Sequence, residues 1–309
     1  MQDLAIIIPA YKSKYFRRTL ESLAQQTCTA FTIYVGNDAG DIEIESIVRT
    51  FQDRLNIIYN YFDNNIGGHS LVKQWERCFE LTNGEEWFWI LPDDDYIDSN
   101  CVEIFYREKN ICDFDVFRFN VHFINSNDEI FKTNPPLELS QNSYDSLIEK
   151  LSFKRASTVS EYIFRKQKYD QIGFANIPLA WGADDLFWFL MGRNKGIRGT
   201  NHAYVYLRQS ELNISNNYSS LAPQKIEANF MFFKYLMESR EFKEISRNTT
   251  ELLQFKDVAL IHIISNLRDF SYSLDPFKIF KYSIKGNKIW GGGLIKNIRR
   301  FYLNNKRIK

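Results

Sequence analysis

Cysteine is scarce in this chain of 309 residues, and the few cysteines do not cluster. Cys28, Cys78, Cys101 and Cys112 form no C-x-x-C pair and have no histidine companions, which argues against a zinc knuckle or a redox dithiol. Each stands in or beside an apolar stretch and reads as a reduced core thiol of a cytoplasmic protein. Long uncharged apolar runs are also missing, since no window reaches the roughly 20 residues that span a bilayer. Met1-Gln2-Asp3 enters an apolar run of only a few residues, so no secretory leader is expected. There is no G-x-x-x-x-G-K-S/T phosphate loop, no G-x-G-x-x-G after the first strand and no G-x-S-x-G elbow. No internal repeat or low-complexity linker divides the chain.

What the chain does have is aromatic bulk and acid. The hydrophobic fraction is 44%, with 26 Phe, 17 Tyr and 6 Trp, ample for a large core and unlike a disordered composition. A formal charge of +1 conceals a division. From Pro276 to Lys309 there are seven Lys and three Arg and no acidic residue, which leaves 29 basic against 38 acidic side chains in the rest. An acidic body with a basic tail is not the footprint of a nucleic-acid binder, and it suits a tail that meets an anionic membrane surface.

Short apolar runs alternate with helical spacing through the first half. Strands are expected at Leu4–Ile8, Phe31–Val35, Ile57–Tyr61 and Trp87–Leu91. Helices are expected around Phe16, Leu20 and Leu23, around Ile44, Ile47, Val48 and Phe51, and around Leu71, Trp75, Cys78 and Phe79. This rhythm predicts an α/β fold with a doubly wound, mostly parallel sheet. Ligands of such sheets bind beyond the carboxyl ends of the strands, where Tyr11, Asp38 and Asp93–Asp95 fall. After about Asn217 the pattern changes to Phe- and Leu-rich helical segments. The reading is therefore a catalytic domain over 1–217, with halves of about 1–98 and 99–217, and a helical extension over 218–309 ending in the basic tail.

Two acidic groups could carry chemistry. Asp93, Asp94 and Asp95 follow a buried strand, and three adjacent carboxylates repel one another unless a cation intervenes. Oxygen ligands favour Mg²⁺ or Mn²⁺, which would in turn hold a diphosphate, whereas a plain solvated turn is the alternative. Asp184 and Asp185 open an apolar helix, where either could simply cap the helix or act as a general base beside bulky apolar neighbours. Of the four histidines, His262 reads as a core residue and His202 as a contact for metal or phosphate.

In order, Ile7-Ile8-Pro9-Ala10-Tyr11, Val35-Gly36-Asn37-Asp38, Asn65-Ile66-Gly67-Gly68, Leu91–Asp95, Gly182–Asp185 and Tyr206-Leu207-Arg208 resemble the family 2 glycosyltransferases of the GT-A fold. The resemblance spans roughly residues 4–216 and implies a Rossmann-like nucleotide-binding half. It implies transfer of a sugar from a nucleotide diphosphate-sugar, with UDP foremost, to a saccharide or lipid-linked saccharide acceptor in surface polysaccharide synthesis, with inversion. On this resemblance Pro9, Ala10 and Tyr11 lie along the base, Asp38 binds uracil or ribose, and Gly67 and Arg208 belong to the donor site. Asp94 is the first choice as metal ligand, with Asp93 and Asp95 beside it. Asp185 is the base and Asp184 the second candidate. The chain departs from the family pattern in three places: Asn37-Asp38 replaces a pair of acids, Lys73 stands in for a missing arginine, and Ser210 occupies the place of a late histidine while His202 precedes it. A catalytically silent binding subunit of the same fold is the competing reading. A D-x-D phosphatase or nucleotidyltransferase fits less well, because Ile97 follows Asp95 where a Thr or Val is wanted.

Overall fold

The computed structural model describes residues 3–210, 220–269 and 274–308. The expected alternation is present from the start: β1 (Leu4–Ala10), α1 (Phe16–Ala24), β2 (Phe31–Asn37), α2 (Glu43–Arg49), β3 (Ile57–Tyr61), α3 (Leu71–Phe79) and β4 (Trp87–Ile90). There follow β5 (Tyr96–Ile97), α4 (Cys101–Ile111), β6 (Val116–Ile124), β7 (Ile130–Thr133), β8 (Ser140–Gln141), α5 (Ser143–Leu151), β9 (Tyr162–Arg165) and α6 (Lys166–Ile172). A 3-10 turn (Pro178–Ala180) then leads to α7 (Ala183–Met191) and β10 (Ile197–Arg208). The remaining described elements are helical: α8 (Ala222–Glu238), α9 (Arg240–Ile245), α10 (Thr249–Asp269), α11 (Pro276–Ile289) and α12 (Leu294–Ile308). The domain boundary expected near residue 217 lies outside the described residues.

One sheet runs in the order β3-β2-β1-β4-β9-β6-β10-β5, with β7 added to β6 and β8 to β10. Strands β1 to β4 are mutually parallel, β9 runs against both β4 and β6, and β6 and β10 are parallel. The chain leaves β1 toward β2 on one side and returns on the other as β4. That reversal opens a crevice at the carboxyl end of β1.

Alternation along the strands separates two apolar layers. Leu4, Ile6 and Ile8 face a cluster shared with α1, α2 and α4, while Ala5 and Ile7 face one shared with α3, α5, α7 and the helices from α8 onward. Sheet and late helices therefore share a core on that second face. The Trp87–Ile90 strand is buried throughout, and replacing Trp89 by Ala is expected to cost about 3–5 kcal/mol. His262 is buried in α10, its Nδ1 3.1 Å from the Leu151 carbonyl, as its apolar neighbours suggested.

Pro9 does not stop β1, which pairs with β2 through Ala10 opposite Asn37. The carbonyl of Ile7 accepts from Leu91 N–H on the β4 side, so Pro9 faces the same way, beyond the last β4 residue, Ile90. A missing N–H costs no ladder bond there.

Candidate active site at the carboxyl ends of the strands

The first rim is built from backbone donors meeting acids. Tyr11 N–H and Lys12 N–H both donate to Asp93 Oδ2, at 2.7 and 2.8 Å. Burial raises the proton affinity of Asp93, and these two donors oppose the rise. Asp93 therefore ties the end of β1 to the end of β4. Pro9 is partly and Ala10 fully buried, so Tyr11, 45% exposed, presents the open aromatic surface of this rim.

Asp38, expected at the sugar or base, is engaged by backbone and side-chain donors of the protein itself. Its N–H donates to the Ala10 carbonyl, and its carboxylate accepts from Ile66 N–H at 2.8 Å and Gly67 N–H at 2.7 Å. Arg77 of α3 completes an ion pair with it and lies 3.8 Å over the Phe62 ring. These donors use the buried Asp38 to hold the Asn65–Gly68 loop. A Cβ on Gly67 would come 2.5 Å from Asp38 Oδ2, so this close approach demands glycine. Lys73 is exposed, one turn before Arg77 on α3, and the basic partner of this corner is Arg77 instead.

Within the acidic triplet the three carboxylates divide their work. Asp95 Oδ1 accepts from Arg208 N–H at 2.8 Å and Oδ2 from Ser160 Oγ at 2.6 Å. Burial, the largest cause, pushes its pKa up to about 7 against these donors and Arg208. Both carboxylate oxygens of Asp95 are thus engaged within the protein. Arg208 is buried as well: its Nε donates to the Asp94 carbonyl at 3.0 Å, its Nη1 to the Asn125 carbonyl at 2.9 Å, and it pairs with Asp128. Its guanidinium lies 4.1 Å from the Tyr15 ring centroid. It clamps the acidic loop through the Asp94 carbonyl and Asp128.

Asp94 carries the strain of the triplet. Burial, then the charges of Asp95 and Asp93, push its proton affinity well above the ordinary carboxylate range, with Lys12 and Arg208 opposing. A cation would relieve that cost, and the all-oxygen setting suits Mg²⁺ or Mn²⁺. Among the described residues no three His, Cys, Asp or Glu side chains converge as a complete metal cage. The fit is to a cation held by one carboxylate and completed by phosphate oxygens and water, a common Mg²⁺ arrangement. His202 is not part of it. It is exposed on β10, six residues before Arg208, which is on the order of 15–20 Å along a strand.

The second acidic group is delivered by a strained turn. Leu179 and Ala180 have φ of 60° and 51°, and Gly182 enters α7 with φ of 86° under the Phe232 ring. Gly182 is the N-cap of α7, and Asp184 and Asp185 stand in its first turn, where the Asp184 carboxylate accepts the Asp185 N–H. Asp185 Oδ2 lies 3.3 Å from Lys150 Nζ, which also donates to the Ser157 carbonyl at 2.7 Å. The cavity of about 10 Å³ beside them, lined also by Tyr162 and Trp188, has room for about one water. Asp184 is pushed up to about 8, by burial first and then by the charge of Asp185, with Lys150 opposing.

Thr158–Glu161 joins the two acidic groups. Trp188 Nε1 of α7 donates to the Thr158 carbonyl at 3.3 Å, and Ser160 Oγ donates to Asp95 at 2.6 Å. Glu161, fully buried, accepts from Thr158 N–H at 3.1 Å and from Arg118 Nη2 of β6 at 3.2 Å. Trp89 Nε1 anchors the Ser160 carbonyl at 2.6 Å. Arg77, Arg118, Lys150, Ser160 and Glu161 were not singled out in the sequence. The available signal was a lone charge in an apolar strand, as at Arg118 in Val116-Phe117-Arg118-Phe119, or at the edge of one, as at Glu161. A surface hollow at Gln52–Ile57 lies at the opposite, amino end of β3 and takes no part.

The model of glycosyl transferase family 2 matches residues 5–174. Comparison with curated protein sequences finds no match. Among solved structures, S. aureus TarS 1-349 in complex with UDP is similar with a TM-score of 0.71 and 16% identity, over 99% of this chain and 90% of that one. The same protein with UDP-GlcNAc gives 0.65 and 18% over the same shares, 99% and 90%. The mannosyltransferase PcManGT from Pyrobaculum calidifontis, in complex with GDP-Man and Mn²⁺, gives 0.53 and 13%, over 98% of this chain and 87% of that one. At these identities the structural likeness shows the fold, a GT-A-type α/β sheet with carboxyl-terminal helices.

Proposed function

The chain belongs to glycosyl transferase family 2, and from that premise we propose that it transfers a sugar from a nucleotide diphosphate-sugar, a UDP-sugar foremost, to a saccharide or lipid-linked saccharide hydroxyl with inversion. The observation that supports this best is the short Thr158–Glu161 bridge, bonded to Asp95 on one side and to α7 on the other. It keeps a cation-seeking carboxylate and a carboxylate pair on one rim of the sheet, as direct displacement requires.

In this reading the acceptor hydroxyl attacks the anomeric carbon, its proton passes to Asp185, and the bond from that carbon to the diphosphate oxygen breaks with its electron pair on the leaving diphosphate. Burial and the charge of its neighbour push Asp184 up to about 8, while Asp185 stands beside Lys150, and the base role is assigned to Asp185. Tyr11 offers an open ring along which the base can lie, while Asp38, Gly67 and Arg77 shape the loop next to it. Asp94 would hold Mn²⁺ or Mg²⁺, which supplies charge neutralisation for the leaving diphosphate. The donor half is assigned to about 1–98, the acceptor half to about 99–217 and the extension to 218–309, with the reaction in the cytoplasm and serving surface polysaccharide synthesis.

The test is release of nucleoside diphosphate from a panel of UDP- and GDP-sugars with Mn²⁺ or Mg²⁺ and saccharide acceptors, with Asp185→Asn as control. Turnover lost in the variant supports the reading. Binding of nucleotide-sugar with no turnover under any acceptor would favour a binding subunit, and no binding at all would remove the proposal.

A further inference from the structure

Helices α11 and α12 form a hairpin about Gly291, Gly292 and Gly293, whose φ values of 71°, 85° and 83° make the turn. Its inner side belongs to the core: Ile279, Tyr282, Ile289, Trp290 and Phe301 are buried, and Tyr282 stacks on Phe230 of α8 at 4.9 Å. Trp290 Nε1 donates to Asn297 Oδ1 at 2.9 Å across the turn. Lys281 and Lys285 reach back to Glu227 of α8 at 2.7 and 2.5 Å. The hairpin is therefore fixed to the body with a defined outer side.

That outer side is not a plain solvated surface. Six of the eighteen large apolar side chains exposed among the described residues stand on these two helices, far above their share of the chain. On α11, Phe277 (75% exposed), Phe280, Lys281, Ile284 and Lys288 fall within about 100° of arc. On α12, Ile295 (84% exposed), Arg299 and Tyr302 fall within about 60°, with Leu303 at their edge. Rings and branched carbons thus alternate with cations along both helices. From Pro276 to Lys309 the sequence holds ten basic residues and no acidic one, while the rest of the chain is acidic in excess. Of the ten, Lys278, Lys281 and Lys285 pair with Asp275 and Glu227, which lie outside the segment.

We propose that this outer side of the α11–α12 hairpin docks on an anionic lipid bilayer surface. Apolar side chains enter the zone between headgroups and acyl chains, and Lys and Arg lie against lipid phosphates with their stems in the same zone. The acidic body is repelled by the same surface, so only the hairpin side approaches it. An acidic protein would meet the cations but would leave Phe277 and Ile295 without an apolar phase. The inference does not depend on the transfer reaction, because it is read without any sugar donor.

Truncating the tail would strip Trp290 and Phe301 from the core, so exposed positions give the cleaner test. The full chain is co-sedimented with phosphatidylcholine vesicles, with and without phosphatidylglycerol. Binding is expected only to the anionic vesicles at low salt, weakening about tenfold or more in high salt. Lys288→Glu/Lys296→Glu/Arg299→Glu should abolish it, and Phe277→Ser/Ile295→Ser should weaken it about tenfold, with unchanged melting temperatures. A folded chain that stays in the supernatant, or variants that bind like the parent, overturns the proposal. A dimer in size-exclusion chromatography that Phe277→Ser/Ile295→Ser dissolves, without vesicle binding, gives the face to a second copy instead.

Discussion

Lys150 of α5 and Asp185 of α7 meet at 3.3 Å, while Asp184, next in the helix, is pushed up to about 8 by burial. Neighbouring carboxylates thus differ in their partners, and the proposed division of their roles rests on that difference. Asp185→Asn should leave nucleotide affinity nearly unchanged and lower transfer by roughly 10²–10⁴-fold, the usual loss of a general base. Lys150→Met should lower kcat and move the pH profile while leaving donor KM close to its original value. If Asp184→Asn shows the large loss and Asp185→Asn stays active, the two roles are exchanged.

The raised acids predict how stability varies with pH. Asp184 at about 8 and Asp95 at about 7 keep their protons in the folded chain where the unfolded chain, at about 4, has lost them. The unfolded state then binds fewer protons, so stability falls as pH rises from about 4 to about 8 and levels above that. Melting temperature between pH 5 and 9 should decline through this window, and Asp184→Asn should raise it at pH 8 by about 2 °C or more. A melting temperature that climbs steadily from pH 5 to 8 would contradict the assignment.

The metal prediction separates Asp94 from its neighbours and from His202. Asp94→Asn should abolish the Mn²⁺-dependent part of UDP binding measured by calorimetry, with a native circular dichroism spectrum. His202→Ala should leave that part unchanged, because the imidazole is remote along β10. Cations compete with protons for Asp94, so Mn²⁺ with UDP should raise the melting temperature more at pH 8 than at pH 6. Unaltered UDP affinity in Asp94→Asn would remove the carboxylate from the site.

The Asp38 corner can be tested through backbone space. Gly67→Ala places a methyl against Asp38 Oδ2 and should cost about 1–3 kcal/mol in urea unfolding, together with a weaker grip on UDP. Arg77→Met should be at least as damaging, since it leaves a buried carboxylate with only two backbone donors among its described contacts. Lys73→Met, at an exposed position, should change stability by less than about 0.5 kcal/mol. Equal effects from Arg77→Met and Lys73→Met would refute the division between them.

The sequence by itself determined the alternation of β1 to β4 with α1 to α3, the rim on which Tyr11, Asp38 and Asp93–Asp95 gather, and the helix that begins with Asp184 and Asp185. Those features are local: period, turn chemistry and strand ends can be read within a dozen residues. Only the tertiary structure decided what each polar group does, because a buried charge is defined by its partner and the partners come from far along the chain. Asp95 meets Ser160 and Arg208, Asp38 meets Arg77, Asp185 meets Lys150, and Glu161 meets Arg118. The same limit applied to the tail. Its charges were plain in the sequence, but packing on α8 chose which of its aromatic side chains would be core and which would face outward.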